Sequence, residues 1–367
     1  MAYITKGNYN LFDLLSMLQK SIRRGKYMEA GYAAFHLEDR YRNAMWNRLL
    51  VISCEDCYGV ITKEIVALKK KDDAERDNSN IGNALALMCR AKKSRDACYF
   101  ACNFVLATRN PRNIAPEHSD VLDFKIRVAA YDDDKETDAI RFMQMSFFEA
   151  GEQKLEDRYV DGKRLQIAIK HRDMDMAGYY MDKFRNTNRK FLWGVFFDYA
   201  KGLDNILAEN EIQALFEADN IVNSKKKEKD EIFISKAAMI LFYAEDEEHE
   251  DISCCDLVKE TGLIDWSKYP IVPIADCAVQ RMEIPIWVYD CHTLKGKAMG
   301  KTDWDMTRDE QIALTPKRVA YFDDASWAYT YEDDFIHGRI SAKMMEPIRE
   351  YGKTHEANPV KIIPYSE

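Results

Sequence analysis

The stretch from Ile284 to Lys301, IPIWVYDCHTLKGKAMGK, carries the residues of this chain that are best suited to chemistry. Asp290 and His292 follow an aliphatic and aromatic run, and three lysines and two glycines come after that run. A carboxylate can orient an imidazole or act as a general base, and histidine titrates near neutral pH. Asp290 could equally cap a helix beginning at Cys291, because an N-cap needs only a side-chain oxygen. The sequence leaves both interpretations open.

The same stretch partly matches a phosphate-binding loop. Gly300, Lys301 and Thr302 end like G-x-x-x-x-G-K-[ST], but position 295 holds Lys295 instead of the first glycine. The full motif occurs nowhere in the chain, so the phosphate cradle and the magnesium-binding hydroxyl of an ATPase are missing. The sequence therefore predicts a protein that is not an ATPase.

Clusters of basic residues predict contacts with phosphate groups. The predicted DNA-binding residues are Lys20, Arg23, Arg24 and Lys26 at the end of the first predicted helix, Arg90, Lys92 and Lys93 between two later helices, and Lys297 and Lys301. Such contacts position a protein on nucleic acid without reading its sequence. The alternative is that Arg23 or Arg24 pairs with Glu55 or Asp56 inside the fold.

Apolar residues recur with helical spacing through most of the chain. Leu11, Leu14, Leu15, Leu18 and Ile22 form one such stripe, with Asn10 as a suitable N-cap and Gly25 as a stop. The polar run 69–80, KKKDDAERDNSN, is expected to be an exposed loop or frayed helix end. Only 269–274 and 284–289 resemble strands, and no internal repeat is evident. The sequence predicts a mostly α, multi-helix, bundle-like globular protein with at most short β segments.

Charge and composition suggest three parts. Through residue 130 the chain has 21 Lys and Arg against 15 Asp and Glu, whereas the remainder has 32 against 47. We expect a basic helical domain over 1–130 and an aromatic-rich helical domain over 131–250, whose aromatic residues form core. A C-terminal segment over 251–367 would carry the Asp-x-His motif and pack back on the helices. A basic part favours an anionic partner.

The sequence lacks the usual marks of export or membrane insertion. MAYITKGNYN has no apolar core like that of a signal peptide, and no apolar run approaches the roughly 18 residues of a membrane span. Nine cysteines in a chain of this length fit reduced thiols. Cys54 and Cys57 form the one C-x-x-C and lack a second pair for a tetrahedral metal site. We therefore predict a cytoplasmic protein with no metal, no cofactor and no membrane partner.

Short motifs in the first third of the chain resemble a known family. They are Asp13 and Leu14, 20–25 (KSIRRG), 48–51 (RLLV), 55–59 (EDCYG) and 91–94 (AKKS). They resemble the helical C-terminal region of the replication-associated recombination protein A family, clamp-loader-related AAA+ proteins that act at stalled replication forks. Asp290-x-His292 with Gly296-x-x-x-Gly300 is similar to a later segment of that region. The resemblance covers about 130 of the 367 residues, and it implies oligomerisation and contacts near DNA.

An apolar run ending in Asp-x-His also resembles the catalytic segment of helix-hairpin-helix DNA glycosylases, which remove bases flipped from the duplex. That resemblance implies that Asp290 stabilises the sugar cation or activates the attacking group. Lys295 or Lys297 would be a lysine nucleophile if partly desolvated. The L-P-G-x-G hairpin that precedes the motif in that family is missing here.

The leading hypothesis is a DNA-associated helical protein that acts in replication, repair or phage and mobile-element conflict. It would be a binding or oligomerisation module without ATPase activity. Its partners would be DNA, a replication or repair protein, or further copies of the chain. One alternative is a DNA glycosylase with Asp290, His292 and Lys295 as catalytic residues. The second alternative is a protein-interaction scaffold.

Overall fold

The computed structural model describes residues 3–57, 61–91, 93, 95–106, 153–203, 205–242, 244 and 271–301. These residues are mostly helical, which confirms the predicted fold class. Within them, strand-like pairing is limited to isolated bridges between Ile4 and Asn10 and between Cys57 and Lys93. Of the two strand-like runs, 284–289 contains a 3-10 turn at Ile286–Val288. Pro285 removes a backbone donor there, which disfavours a strand.

Contacts within the chain separate two compact units. Among the described residues, the first unit contains 3–95 and 271–301, and the second contains 96–106 and 153–242. The domain boundaries predicted at 130 and 250 both lie outside the described residues. Within the first unit, residues 271–301 contact the N-terminal helices.

The described part of the first unit consists of five N-terminal helices and the segment 271–301. The helices are α1 (Leu11–Arg23), α2 (Tyr27–Leu37), α3 (Arg42–Glu55), α4 (Thr62–Glu75) and α5 (Asn78–Arg90). The side chain of Asn10 accepts a hydrogen bond from the backbone N–H of Phe12, which confirms the predicted N-cap. The leucine stripe of α1 is buried against α2, α3 and α5. Gly25 has a φ of 67°, so the chain turns at the predicted stop.

A buried ion pair joins α3 to α4. Arg42 donates from Nε to Asp72 at 2.8 Å and from Nη2 to the other carboxylate oxygen, and the indole N–H of Trp46 donates to Asp72 at 2.7 Å. Asp72 and Lys69 belong to the polar run 69–80, and both are buried. The expectation of an exposed loop or frayed helix end was wrong for Asp72, because Arg42 and Trp46 satisfy its carboxylate inside the fold. Most of the remaining run is exposed at the end of α4, as expected.

The second unit has a helical core rich in aromatic residues. Its helices are α6 (Asp96–Phe100), α7 (Gln153–Lys170), α8 (Met174–Phe184), α9 (Arg189–Gly202), α10 (Ile206–Asn223) and α11 (Ile232–Phe242). A π-helical turn, Ala101–Val105, continues α6. Trp193, Phe196 and Phe233 are fully buried, as expected for core aromatics. Arg189 pairs with Asp219 at 2.7 Å, and the indole N–H of Trp193 donates to the same carboxylate at 2.8 Å.

Within the described ranges, no helix has both the length and the apolar content that a bilayer crossing requires.

Candidate functional site

Asp290 lies inside the first unit and is 6% exposed. Its Oδ1 accepts hydrogen bonds from the backbone N–H groups of His292 at 2.9 Å and Thr293 at 3.2 Å. Its Oδ2 lies 2.9 Å from the ammonium group of Lys20. Burial raises the pKa of Asp290, but the hydrogen bond and charge of Lys20 outweigh burial and bring the pKa below its ordinary value. Asp290 is therefore an ionised, fully engaged carboxylate.

The helix after Asp290 begins later than predicted. The short helix α12 (Leu294–Ala298) has Thr293 as its N-cap, whose Oγ1 accepts from the backbone N–H of Gly296 at 3.1 Å. Asp290 instead closes the turn before the cap, and its backbone carbonyl accepts from the hydroxyl of Thr293 at 3.0 Å. The predicted helix start at Cys291 was wrong, because Thr293 supplies the capping oxygen.

Lys20 attaches the segment 284–290 to α1. Its ammonium group donates to the carbonyls of Trp287 at 2.9 Å and Val288 at 3.2 Å, in addition to its ion pair with Asp290. The hydroxyl of Ser16, one turn earlier on α1, donates to Val288 O at 2.6 Å. Lys20 is 4% exposed. Its three donors therefore face the protein interior instead of a phosphate.

The neighbouring arginines are also used inside the fold. Arg23 Nε lies 2.6 Å from Asp56, which also pairs with Arg95 at 3.1 Å. This pairing confirms the internal alternative for Arg23. The Arg24 guanidinium lies 4.5 Å from the ring centroid of Trp287 and donates to the carbonyl of Lys20 at 3.2 Å. Both arginines are buried, so neither faces solvent as a phosphate contact requires.

The second basic cluster is divided between buried and half-buried positions. Lys93 is 2% exposed, and its ammonium group donates to the carbonyls of Met88, of Cys89 at 3.3 Å and of Ala91 at 2.7 Å. It therefore satisfies carbonyl groups at the C-terminus of α5. Arg90 is half-buried, and Lys92 lies outside the described residues.

Around α12 the basic residues do reach solvent. His292, Lys295 and Lys297 are exposed, and Lys301 is partly exposed. Lys295 Nζ lies 4.2 Å from the ring centroid of Tyr289. On the adjoining end of α1, the half-buried Lys26 lies 5.9 Å from the Trp287 ring. The structure thus brings part of the predicted set to one accessible segment and buries the rest.

Sequence reasoning missed several residues that shape this region. Ser16 and Trp287 hold the segment on α1, and Gln19 donates to Asp56 at 2.9 Å. Gly296, in contrast, was part of the Gly296-x-x-x-Gly300 pattern noted in the sequence, although its packing role was not predicted.

Gly296 is required by a close backbone approach. A Cβ at this position would overlap the carbonyl oxygen of Asp290 and lie 2.6 Å from its carbonyl carbon and its backbone nitrogen. Gly296→Ala should therefore destabilise the packing of 286–301 by roughly 1–3 kcal/mol, measured as faster amide hydrogen exchange in that segment. Gly194→Ala is the matched control, because nothing lies within 4 Å of its Cβ position. Unchanged exchange over 286–301 in Gly296→Ala would contradict the prediction.

Comparison with protein-family models, with curated proteins and with solved structures finds no match for this chain. Among the residues that the structure describes, no group of three His, Cys, Asp or Glu side chains could hold a metal ion. Cys54 and Cys57 are both buried.

Proposed function

We propose that this protein is a DNA-associated helical module without ATPase activity, acting in the cytoplasm in replication, repair or mobile-element conflict. Its partners in that setting would be the DNA backbone and a replication or repair protein or a second copy of the chain. The proposal is supported by the motifs that resemble the recombination protein A family and by the accessible lysines around α12.

The observation that carries the proposal is the exposure of Lys295 and Lys297 on a segment that is fixed to α1. The buried pair of Lys20 and Asp290 sets the position of this segment, so the lysines start from a defined geometry. A positioned ammonium group loses less entropy on binding a phosphate than one on an unattached tail. Lys26 and Lys301 would extend the same basic surface.

The buried cations have a different part in this proposal. Lys20, Arg23, Arg24 and Lys93 donate to carbonyls and carboxylates or stack on Trp287, and so they shape the unit that presents the surface lysines. Phosphate contact by these four would require this packing to open. We therefore assign the predicted backbone contacts to the exposed members of the set.

The glycosylase alternative finds little support in the geometry. Asp290 is buried, and its two oxygens are taken by backbone N–H groups and by Lys20. Lys295 is exposed and lies over Tyr289, where it remains solvated. A lysine nucleophile needs a desolvated site, which the exposed Lys295 does not have.

The scaffold alternative has one specific observation in its favour. Leu294 is 70% exposed and Ile286 is 61% exposed, beside the lysines along the same segment. A protein partner at this segment is therefore the second candidate, and the test below separates it from DNA.

The test is a binding titration of the full chain with fluorescently labelled single-stranded and duplex DNA at several salt concentrations. Replacing both Lys295 and Lys297 by alanine should weaken binding and make the plot of log K against log salt shallower by about two units. The control is the Lys225→Ala, Lys227→Ala double variant, which removes the same charge from an exposed run in the second unit.

Two outcomes would overturn the proposal. The first is absence of salt-dependent DNA binding by the unmodified protein, which would favour the scaffold alternative. The second is an equal loss of affinity in the two double variants, which would reflect net charge alone.

A further inference from the structure

The buried ion pairs of the two units have the same residues at the same spacings. Arg42 and Asp72 are 30 residues apart, as are Arg189 and Asp219. The tryptophans that donate to these carboxylates each precede them by 26 residues. In both units the arginine also donates to the carbonyl four residues before it, at 3.4 Å and 3.3 Å.

Helix boundaries and turns repeat at the same offset of 147 residues. Helices α2 and α3 of the first unit correspond, end for end, to α8 and α9 of the second. The left-handed residue before α2 is Gly25, and its counterpart before α8 is Arg172, with φ values of 67° and 54°. Each donates its N–H three residues back, at 2.9 Å and 3.0 Å. A non-glycine residue rarely adopts this conformation, so its recurrence is informative.

Sequence identities fall at the same offset. They are 18–19 and 165–166 (LQ), Ile22 and Ile169, 30–32 and 177–179 (AGY), 64–65 and 211–212 (EI), and 67–68 and 214–215 (AL). After Asp72 and Asp219 the offset between the two copies increases to 153. At this offset Asp77 and Asp230 precede α5 and α11, and each side chain accepts a hydrogen bond from the backbone N–H two residues later. A six-residue insertion before Asp230 accounts for the change.

Each glycine of the two AGY motifs allows the close approach of a segment that a Cβ would obstruct. A Cβ on Gly31 would overlap the sulfur of Cys277, which lies in a 3-10 turn of the segment 271–301. A Cβ on Gly178 would lie 2.6 Å from the carbonyl carbon and oxygen of Phe104, which lies in the π-helical turn of 96–106. In both units, an irregular helical turn from outside the five helices packs against the glycine.

We infer that the chain contains two copies of one five-helix module, 10–90 and 157–242, and that each copy has the same groove, centred on Gly31 or Gly178, for a short irregular helical turn. The groove of the first copy holds 271–290, and the groove of the second copy holds 96–106. Each occupant follows the other copy in the chain, so the segments are exchanged between the two units.

Comparison of equivalent residues in the two copies distinguishes those that stabilise the five-helix module from those that determine which segment binds in its groove. The arginine, tryptophan and aspartate of the ion pair are present in both. Lys20 corresponds to Ile167, and Asp56 corresponds to Leu203. The module therefore folds without these charges, and Lys20 serves to select a segment that carries an acid at position 290.

Hydrogen exchange of the full chain, followed by mass spectrometry, tests the shared groove. Gly31→Ala should accelerate exchange in 271–290 on the order of 10- to 100-fold and leave 96–106 unchanged, and Gly178→Ala should do the reverse. Cys277→Ala combined with Gly31→Ala should restore part of the protection of 271–290, because the clashing sulfur is removed.

Release of 271–290 by Gly31→Ala without release of 96–106 by Gly178→Ala would overturn the inference. A general loss of protection in both units with either variant would do the same.

Lys20→Ile introduces the residue of the second copy and tests the selection of the occupant. We expect exchange in 284–301 to rise on the order of 100-fold, because Asp290 loses its buried partner, while α2 to α5 keep their protection. Asp72→Asn shows how much hydrogen exchange in α2 to α5 increases when the five-helix module itself is destabilised. If Lys20→Ile exposes α2 to α5 as strongly as Asp72→Asn does, Lys20 belongs to the module and the inference is wrong.

Discussion

Replacing Asp72 by asparagine should lower the free energy of unfolding of the first unit by about 3–5 kcal/mol. The carboxylate is 1% exposed and accepts from the guanidinium of Arg42 and the indole of Trp46. The hydrogen bond to Asp72 raises the pKa of Arg42 further above its ordinary value, so the guanidinium stays charged. An amide would leave that charge buried without its counter-ion. Denaturant unfolding, read by hydrogen exchange in each unit, measures the loss.

The neighbouring carboxylate provides the control for this result. Asp73 forms its ion pair with Lys69 from a side chain that is 57% exposed, so Asp73→Asn should change stability by less than about 1 kcal/mol. Asp219→Asn should destabilise the second unit in the same way that Asp72→Asn destabilises the first. Equal stability of Asp72→Asn and Asp73→Asn would show that the buried pair is not what holds α3 to α4.

The second large effect is the pH dependence of stability that Asp56 causes. Burial raises the pKa of Asp56, but Arg23 and Arg95 together outweigh burial and bring it down to about 2. An unfolded aspartate titrates near 3.9, so the ionised form adds stability above that pH, on the order of 2 kcal/mol. This stability is lost as the pH falls from about 5 towards 2, because the folded state must take up a proton against the two arginines.

Asp56→Asn should therefore remove the part of the stability loss at low pH that comes from protonation of the Asp56 carboxyl. At pH 7 the variant should be less stable than the unmodified protein, and the difference should shrink towards pH 2. Urea unfolding at pH 7, 5 and 3 gives the comparison, with Glu75→Gln as an exposed control. A stability difference that stays constant over this pH range would contradict the assigned pairing with Arg23 and Arg95.

These two carboxylates illustrate what local sequence can and cannot predict. The helical stripe of α1 and the Asn10 cap were readable because they depend on residues within about one or two turns of each other. The pairing of Arg23 with Asp56 was foreseeable as an alternative, since both side chains end helices of a small bundle. The role of Asp72 was not, because a run such as KKKDDAERDNSN contains no sign that an arginine and a tryptophan 30 and 26 residues earlier will enclose it.

The duplication was also hidden from a reading of the sequence. Only short identities such as LQ and AGY survive at the offset, and the long stretch 91–156 separates the two copies. The equal lengths of α2 and α8 and of α3 and α9, the repeated left-handed residue and the matching hydrogen bonds make the relation visible. Backbone geometry tolerates many apolar sequences, whereas the few buried polar contacts tolerate little change.

The sequence by itself determined that the chain is mostly helical and that basic residues gather at helix ends and in 284–301. Only the tertiary structure decided which of those charges reach solvent. Lys20 meets Trp287 across 267 residues and becomes an internal support for Asp290, whereas Lys295 and Lys297 remain outside. The physical reason is that helix periodicity is set by neighbours in the chain, while burial and ion pairing depend on segments that meet only after the chain has folded.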